Sequence, residues 1–333
     1  MRTTIRLLLK TYRFEFIAIT LACLAMAGAE LYLTSRLDAL ALPKECQFDQ
    51  NISVEQGFAT QPEEPVSDPT LVDSCQEKAI AFSDADQRSA VLMSFGAALP
   101  VLAGILIGVA VVGRELETGT ASLAWTLSRS RRRWYLTRAL LVGAILGGVL
   151  LLPSFTANIL EHARQPLIDP GSSFNDGGIR GPVLVMLGLL TYAIGVVTGA
   201  VVGRQLPAVI ITLALALLAI LAFENGVSRW ESTLAEWQPA ASSSYSIDIV
   251  LEQDYRDRAS GLIVDQGSVF NAAPQVDGGP DGAWIDAHYD SVALVVPGSR
   301  YGDVVAVETG AIGAALLVLL GLGLFVVIHR RPD

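Results

Sequence analysis

Few residues in this chain have the type and spacing for covalent chemistry. Its three lysines, Lys10, Lys44 and Lys78, follow Leu9, Pro43 and Glu77, so none completes the Gly-Lys-Ser/Thr step that a phosphate-binding loop requires. His162, His288 and His329 stand in separate regions, with no HExxH pair and no Cys/His cluster, so no metal centre is expected. Acidic residues gather late in the chain, among them Asp248, Glu252, Asp254, Asp257 and Asp265, and they read as a solvated surface rather than a catalytic pair. Neither a catalytic residue nor a cofactor is expected.

Binding chemistry is concentrated in GRELETGTASLAWTLSRSRRRW, residues 113–134. Gly119 can end a helix in the left-handed conformation, Thr120 can cap a new short helix reaching about Thr126, and Ser128 or Ser130 can cap the helix that follows. Leu123 and Trp125 are large apolar side chains on that short element, suited to a partner's groove or the headgroup layer. Glu115 and Glu117 either pair with Arg114 and Arg129 or reach a partner. Arg131, Arg132 and Arg133 would lie at a helix N-terminus, where positive charge is unfavourable, so lipid phosphate or an acidic surface must compensate. A plain topology anchor is the competing role for that run. Nucleic acid is not an expected partner, because membrane lipid lies closer.

The elements that must position this loop are membrane helices. The 333 residues are 52% hydrophobic and 17% charged, with a mean hydropathy of +0.47, which nearly excludes a water-soluble enzyme. Apolar runs long enough to cross roughly 30 Å of hydrocarbon occupy 14–34, 90–113, 138–160, 181–202, 207–223 and 309–329. Thirteen of the 23 basic residues fall at one set of loops: Arg2, Arg6, Lys10 and Arg13, then Arg114, Arg129, the Arg131–Arg133 run and Arg138, then Arg204, Arg330 and Arg331. The alternate segments 35–89, 161–180 and 224–308 hold ten basic and 28 acidic residues. The excess of positive charge inside then predicts an all-α polytopic fold of six helices with both termini cytoplasmic, and a large mixed extracytoplasmic loop between helices five and six.

Smaller signals fit this frame. Cys46 and Cys75 share the outer loop 35–89 and could form a disulfide there, or remain two thiols. Residues 1–13 alternate basic and apolar residues at helical spacing and read as an interfacial helix or a simple basic flank. Ala27-Gly28-Ala29 resembles a signal-peptide cleavage site, but Glu15 and the long preceding segment fit that poorly. Gly104/Gly108, Gly143/Gly147 and Gly195/Gly199/Gly203 permit close helix approach, and Pro153 should kink helix three. Spans two to six carry no acidic residue or His in their interiors, which disfavours an ion-driven carrier. In 224–308, Trp230, Leu234 and Trp237 fall on one helical side, Ser246–Leu251 alternates like a strand, and 274–282 reads as a flexible tip.

Three stretches resemble the permease subunits of type-2 ATP-binding-cassette exporters, in the form common in actinobacteria. They are residues 99–134, with Glu115-Leu116-Glu117, Gly119-Thr120, Trp125-Thr126 and Ser130-Arg131; Pro297-Gly298-Ser299-Arg300-Tyr301 leading to Glu308; and the basic start ending Thr11-Tyr12-Arg13. Leu127 and Gly302 depart from residues the family often places there. The resemblance implies one permease domain over 1–333, with 114–137 as its cytoplasmic coupling loop. It implies a partner ATPase subunit, a homodimer or a heterodimer with a paralogous permease, and a bacterial plasma membrane. Glu115, Glu117, Gly119 and Thr120 would then shape the coupling helix, Leu123 and Trp125 would contact the ATPase, and Arg131–Arg133 would anchor it to lipid. An amphipathic or hydrophobic cargo would leave the cell. The alternative is a membrane-anchored sensor or assembly factor acting through the 224–308 loop.

Cysteines introduced at Ser122 and Ser243 test the topology, because an impermeant thiol reagent should reach them from opposite faces of the membrane. Labelling of both from one face would reject the six-span arrangement.

Overall fold

Backbone amides find no water inside a bilayer, so each crossing segment must close its hydrogen bonds within itself as a helix. The computed structural model describes residues 12–40, 69–121, 130–166, 168–175, 180–240, 247–276 and 279–330, the side chains of 69–74 excepted. Among these, six helices are long and apolar enough to cross. They are α1 (Arg13–Leu40), α2 (Pro69–Glu117), α3 (Arg131–Arg164), α4 (Gly181–Val202), α5 (Gln205–Glu231) and, after a small mixed unit, α8 (Tyr301–His329). Tyr12 and Arg330 lie at the same end of the bundle: the Tyr12 hydroxyl donates to the Val111 carbonyl, and Arg330 meets Arg131 and the end of α4.

The helices run past the expected spans. The 49 residues of α2 extend about 70 Å, so much of the segment read as an outer loop is helical from Pro69 onward. Pro69 starts the helix, where its missing N–H breaks no bond. The polar extension is held by Asp86, which accepts from Arg164 of α3 at 2.7 Å, and by Phe82 and Ala85 packed on Leu37, Met93 and Leu160. Cys75 lies on this extension, while Cys46 is outside the described residues. Pro153 lies within a continuous α3, and Pro100 sits inside α2 as well.

Lipid is as apolar as leucine, so helices associate here through close packing rather than water exclusion. Of the most apolar 18 residues of each helix, 67% are buried in α4 but only 17% in α5 and α8, which makes α4 the central post. It packs backbone to backbone on α2. A Cβ on Gly104 would lie 2.2 Å from the Gly188 carbonyl oxygen, and one on Gly108 would lie 2.3 Å from that of Tyr192. Gly195 and Gly199 meet Gly108, Val109 and Gly113 in return. Gly143 abuts the Tyr192 ring and Gly147 the Leu189 side chain. Gly203 has a different role: at φ +70° it ends α4.

Residues between α5 and α8 form a four-stranded antiparallel sheet, order β1-β6-β2-β3, from β1 (Glu236–Pro239), β2 (Ile249–Asp257), β3 (Ile263–Val264) and β6 (Tyr289–Val296). Two short helices, α6 (Gln266–Ala272) and α7 (Gly282–His288), flank the hairpin of β4 (Gln275–Val276) and β5 (Gly279–Pro280). Val269, Ala273 and Ile285 are buried among Tyr255, Phe270, Trp284 and Tyr289. Asp265 caps α6, and hydrogen bonds from the Ser268 hydroxyl and backbone N–H hold its carboxyl below the usual carboxylate range. The expected single helical side fails here. Trp230 ends in α5 and Leu234 in a one-turn 3-10 helix, but Trp237 is in β1, opposite Leu294. The apolar strand Val292–Val296 captures it, a tertiary contact that local periodicity does not contain. Of the strand expected at Ser246–Leu251, Ser246 lies outside the described residues and Ile247 and Asp248 form a turn, so β2 begins at Ile249 and runs on to Asp257 with a bulge between Val250 and Glu252; the described part of 274–282 forms the hairpin and the start of α7.

Gly104→Leu should lower stability by about 1–3 kcal/mol or prevent assembly through overpacking. Gly148→Leu, where an added Cβ meets nothing within 4 Å, should be tolerated. Thermal melts of both variants in one detergent check this, and equal melting would contradict the packing account.

Candidate functional site

The loop that joins α2 to α3 is rooted at its α2 end by a glycine break. Gly119 takes φ +70°, the left-handed conformation expected of it, and its N–H reaches the Leu116 carbonyl while Thr118 N–H reaches that of Arg114. Helix resumes at Thr120 and Ala121. The Thr120 hydroxyl turns back to α2, where it bonds Thr118 Oγ1 at 2.9 Å and the Glu115 carbonyl at 3.4 Å; the short helix expected to follow it lies outside the described residues. Thr120 thus seals the end of α2, whose last carbonyls need partners. Leu123 and Trp125 lie outside the described residues. At the other root Ser130 caps α3, its hydroxyl accepting from Arg133 N–H.

Three side chains of the last α2 turn each grip a different helix. Arg114 donates to Glu15 of α1 at 2.8 Å. Glu115, 9% exposed, forms an ion pair with Arg138 of α3, whose guanidinium lies 4.8 Å from the Trp134 ring centroid. Glu117 Oε2 accepts from the Gln205 N–H at 3.0 Å and so caps α5. Arg204, in the cap position, supplies no side-chain bond, so the carboxylate of another helix satisfies an exposed donor where negative charge is favourable. Of the two partners expected for these acids, Arg114 holds Glu15 instead, and Arg129 lies outside the described residues. Arg138 carries no such signal in the sequence, because an ion pair between α2 and α3 depends on how the helices cross.

The basic residues at the same end divide by role. Arg131 donates to the Arg330 carbonyl at 2.7 Å, and Arg330 in turn bonds the Ala200 carbonyl at the end of α4, where cations are favoured. A Cβ on Gly203 would fall 2.7 Å from Arg330 Nη2, so the glycine also makes room for this cap. Arg132 and Arg133 are exposed, with no ion pair among the described residues.

A second polar knot closes the opposite end, around a residue that sequence reading passed over. Arg180, 1% exposed, donates to the carbonyls of Ser173 at 2.7 Å, Pro170 at 2.9 Å and Asn175 at 3.1 Å, and lies 5.0 Å from the Tyr301 ring centroid. Asn175 passes on to Glu161, which also pairs with Arg164. The Pro297–Tyr301 stretch serves this knot. Gly298 N–H donates to Asp248 at 2.8 Å, and a Cβ there would lie 2.1 Å from the Ser172 carbonyl oxygen. Nothing in the type of residue 180 marked it, since a lone Arg before a helix usually faces water.

Glu115→Ala should cost about 3–5 kcal/mol, because it strands the Arg138 charge. Arg114→Ala, which opens a pair whose side chains are 44% and 32% exposed, should cost about 1 kcal/mol or less. Detergent-denaturation midpoints compare the two, and an equal loss would contradict the assignment.

The profile of the ABC-2 membrane transporter related family matches residues 17–227, from the first turns of α1 to the last turns of α5. No curated protein and no solved structure matches the chain. Covering more than half of the chain and five of its six apolar helices, the match assigns this multi-pass membrane protein to the ABC-2 membrane transporter related family, as a permease of ABC-type transport.

Proposed function

We propose that this chain is the membrane half of an exporter, driven by ATP hydrolysis on a separate ATPase subunit that docks on the 118–130 loop. The observation that carries the reading is the three-way grip at the end of α2, with Arg114 on α1, Glu115 on α3 and Glu117 on α5. A push on the loop reaches four helices through these contacts, and this is what a transducer between a nucleotide engine and a helical pathway needs. Gly119 sets the direction of the loop as it leaves α2, and Thr120 stiffens that corner. Leu123 and Trp125 are the apolar contacts offered to the ATPase.

Two copies, or this chain with a paralogous permease, line the path between inward- and outward-facing packings, and the cargo is amphipathic or hydrophobic. The setting is a bacterial plasma membrane, with the Arg-rich end in the cytoplasm and the exposed Arg132 and Arg133 of the Arg131–Arg133 run against its lipid. Cys46 and Cys75 pair on the oxidising side.

Trp125→Ala should uncouple the ATPase without unfolding the permease. A buried aromatic anchor contributes on the order of 2 kcal/mol, equivalent to roughly thirtyfold weaker association. Co-purification of the ATPase at matched expression and monodispersity, with cargo-stimulated ATP hydrolysis, measures it. Unchanged recovery and unchanged hydrolysis would overturn the coupling role.

A further inference from the structure

Along the outside of α3 runs a cleft of about 380 Å³, walled by α4 and α8. Gly143 and Gly147 lower the α3 wall, Leu189 and Tyr192 form the floor, and Leu316 and Leu320 of α8 face them. The lining is apolar apart from the Tyr192 hydroxyl, which is already committed to the Ala139 carbonyl at 2.7 Å. The cleft opens between Leu140 and Leu151, which are 55% and 58% exposed on the membrane face of the bundle. These two residues are about 16 Å apart along the helix, close to the depth of one leaflet of a roughly 30 Å hydrocarbon core. The groove is open to the membrane face along this length, which suits an acyl chain laid along α3.

The charge at one end of the cleft identifies the rest of the ligand. Arg132, Leu136, Leu140, Gly143, Gly147 and Leu151 recur at intervals of three and four, and Arg133 lies seven before Leu140, so both arginines flank the stripe that forms the α3 wall. Arg133 is about 10 Å below Leu140. Both arginines are exposed, and among the described residues neither has an ion pair, although they stand in the first turn of a helix, where positive charge is unfavourable. We propose that this cleft binds one anionic phospholipid, its acyl chain lying between α3 and α8 and its phosphate between Arg132 and Arg133. The site does not depend on ATPase docking or on the direction of transport.

Photo-crosslinking of the full chain in phosphatidylcholine nanodiscs tests this, using a trace of phosphatidylglycerol with a diazirine on its acyl chain, or the same acyl chain on phosphatidylcholine. The glycerol lipid should label α3 and α8 at the cleft in preference to the choline lipid. Arg132→Gln and Arg133→Gln should each reduce that preference about fivefold. Ala144→Trp, which fills the cleft from an exposed position, should remove labelling there and leave the weaker labelling of α1 and α5 unchanged; Leu140→Trp at the rim should do the same and serves if the first variant is not monodisperse. Equal labelling by the two lipids, labelling spread evenly over all helices, or labelling that survives both tryptophans would overturn the proposal. So would a crosslink from a photoreactive residue at position 144 to a second copy of the chain, which would make the cleft a protein interface.

Discussion

Contact between the backbones of α2 and α4 is the constraint on which the rest of the bundle depends. Inside lipid no hydrophobic gain draws two helices together, so their attraction comes from close van der Waals packing, which large side chains at the interface would prevent. Gly104 and Gly108 on one side, and Gly188, Gly195 and Gly199 on the other, remove those side chains where the helices meet. Thr191 then bonds the Val101 carbonyl across the contact at 3.2 Å. With α4 seated this way, α3 packs on it through Gly143 and the Tyr192 ring. Thr198 and Thr212 join it to α5 by a hydroxyl pair, and Gly323 of α8 clears space for Tyr135 of α3.

Charge is placed at the two ends of this frame, where helix termini leave polar groups to satisfy. At the Arg-rich end, one turn of α2 grips three other helices, and Arg330 caps α4. At the other end, a buried guanidinium is solvated by three backbone carbonyls and an aromatic face instead of by water. A guanidinium held in this way fixes geometry, because losing one carbonyl leaves a buried N–H without a partner. The arrangement keeps the short segment 168–175 and the start of α8 in one register.

Because α2 is continuous from Pro69 to Glu117, it connects the two knots physically. Asp86 near its start holds Arg164, which holds Glu161, and Glu115 near its end holds Arg138 on the same α3. The ion pairs therefore tie α2 to α3 near both ends of the length they share. Glu30 of α1, buried and hydrogen-bonded to Thr156 just beyond Pro153, adds a third tie in the last third of α3.

What the sequence determined on its own follows from local rules. Apolar length marks six helices able to cross, left-handed tolerance makes Gly119 the break after α2, and side-chain capping narrows the start of α3 to Ser128 or Ser130, since each depends only on neighbours along the chain; the tertiary structure places that cap at Ser130. The extent of α2 was not legible, because residues 69–89 look polar enough for a loop and become helical by packing on Leu37, Leu160 and Arg164. Trp237 was misplaced for the same reason, its strand conformation coming from β6 some 55 residues later. At the candidate site, the residue types Glu115 and Glu117 were visible but their partners Arg138 and Gln205 were not, and Arg180 had no signal at all. Which charge meets which is set by how the helices cross and by their rotation about their axes, and only the tertiary structure decides those.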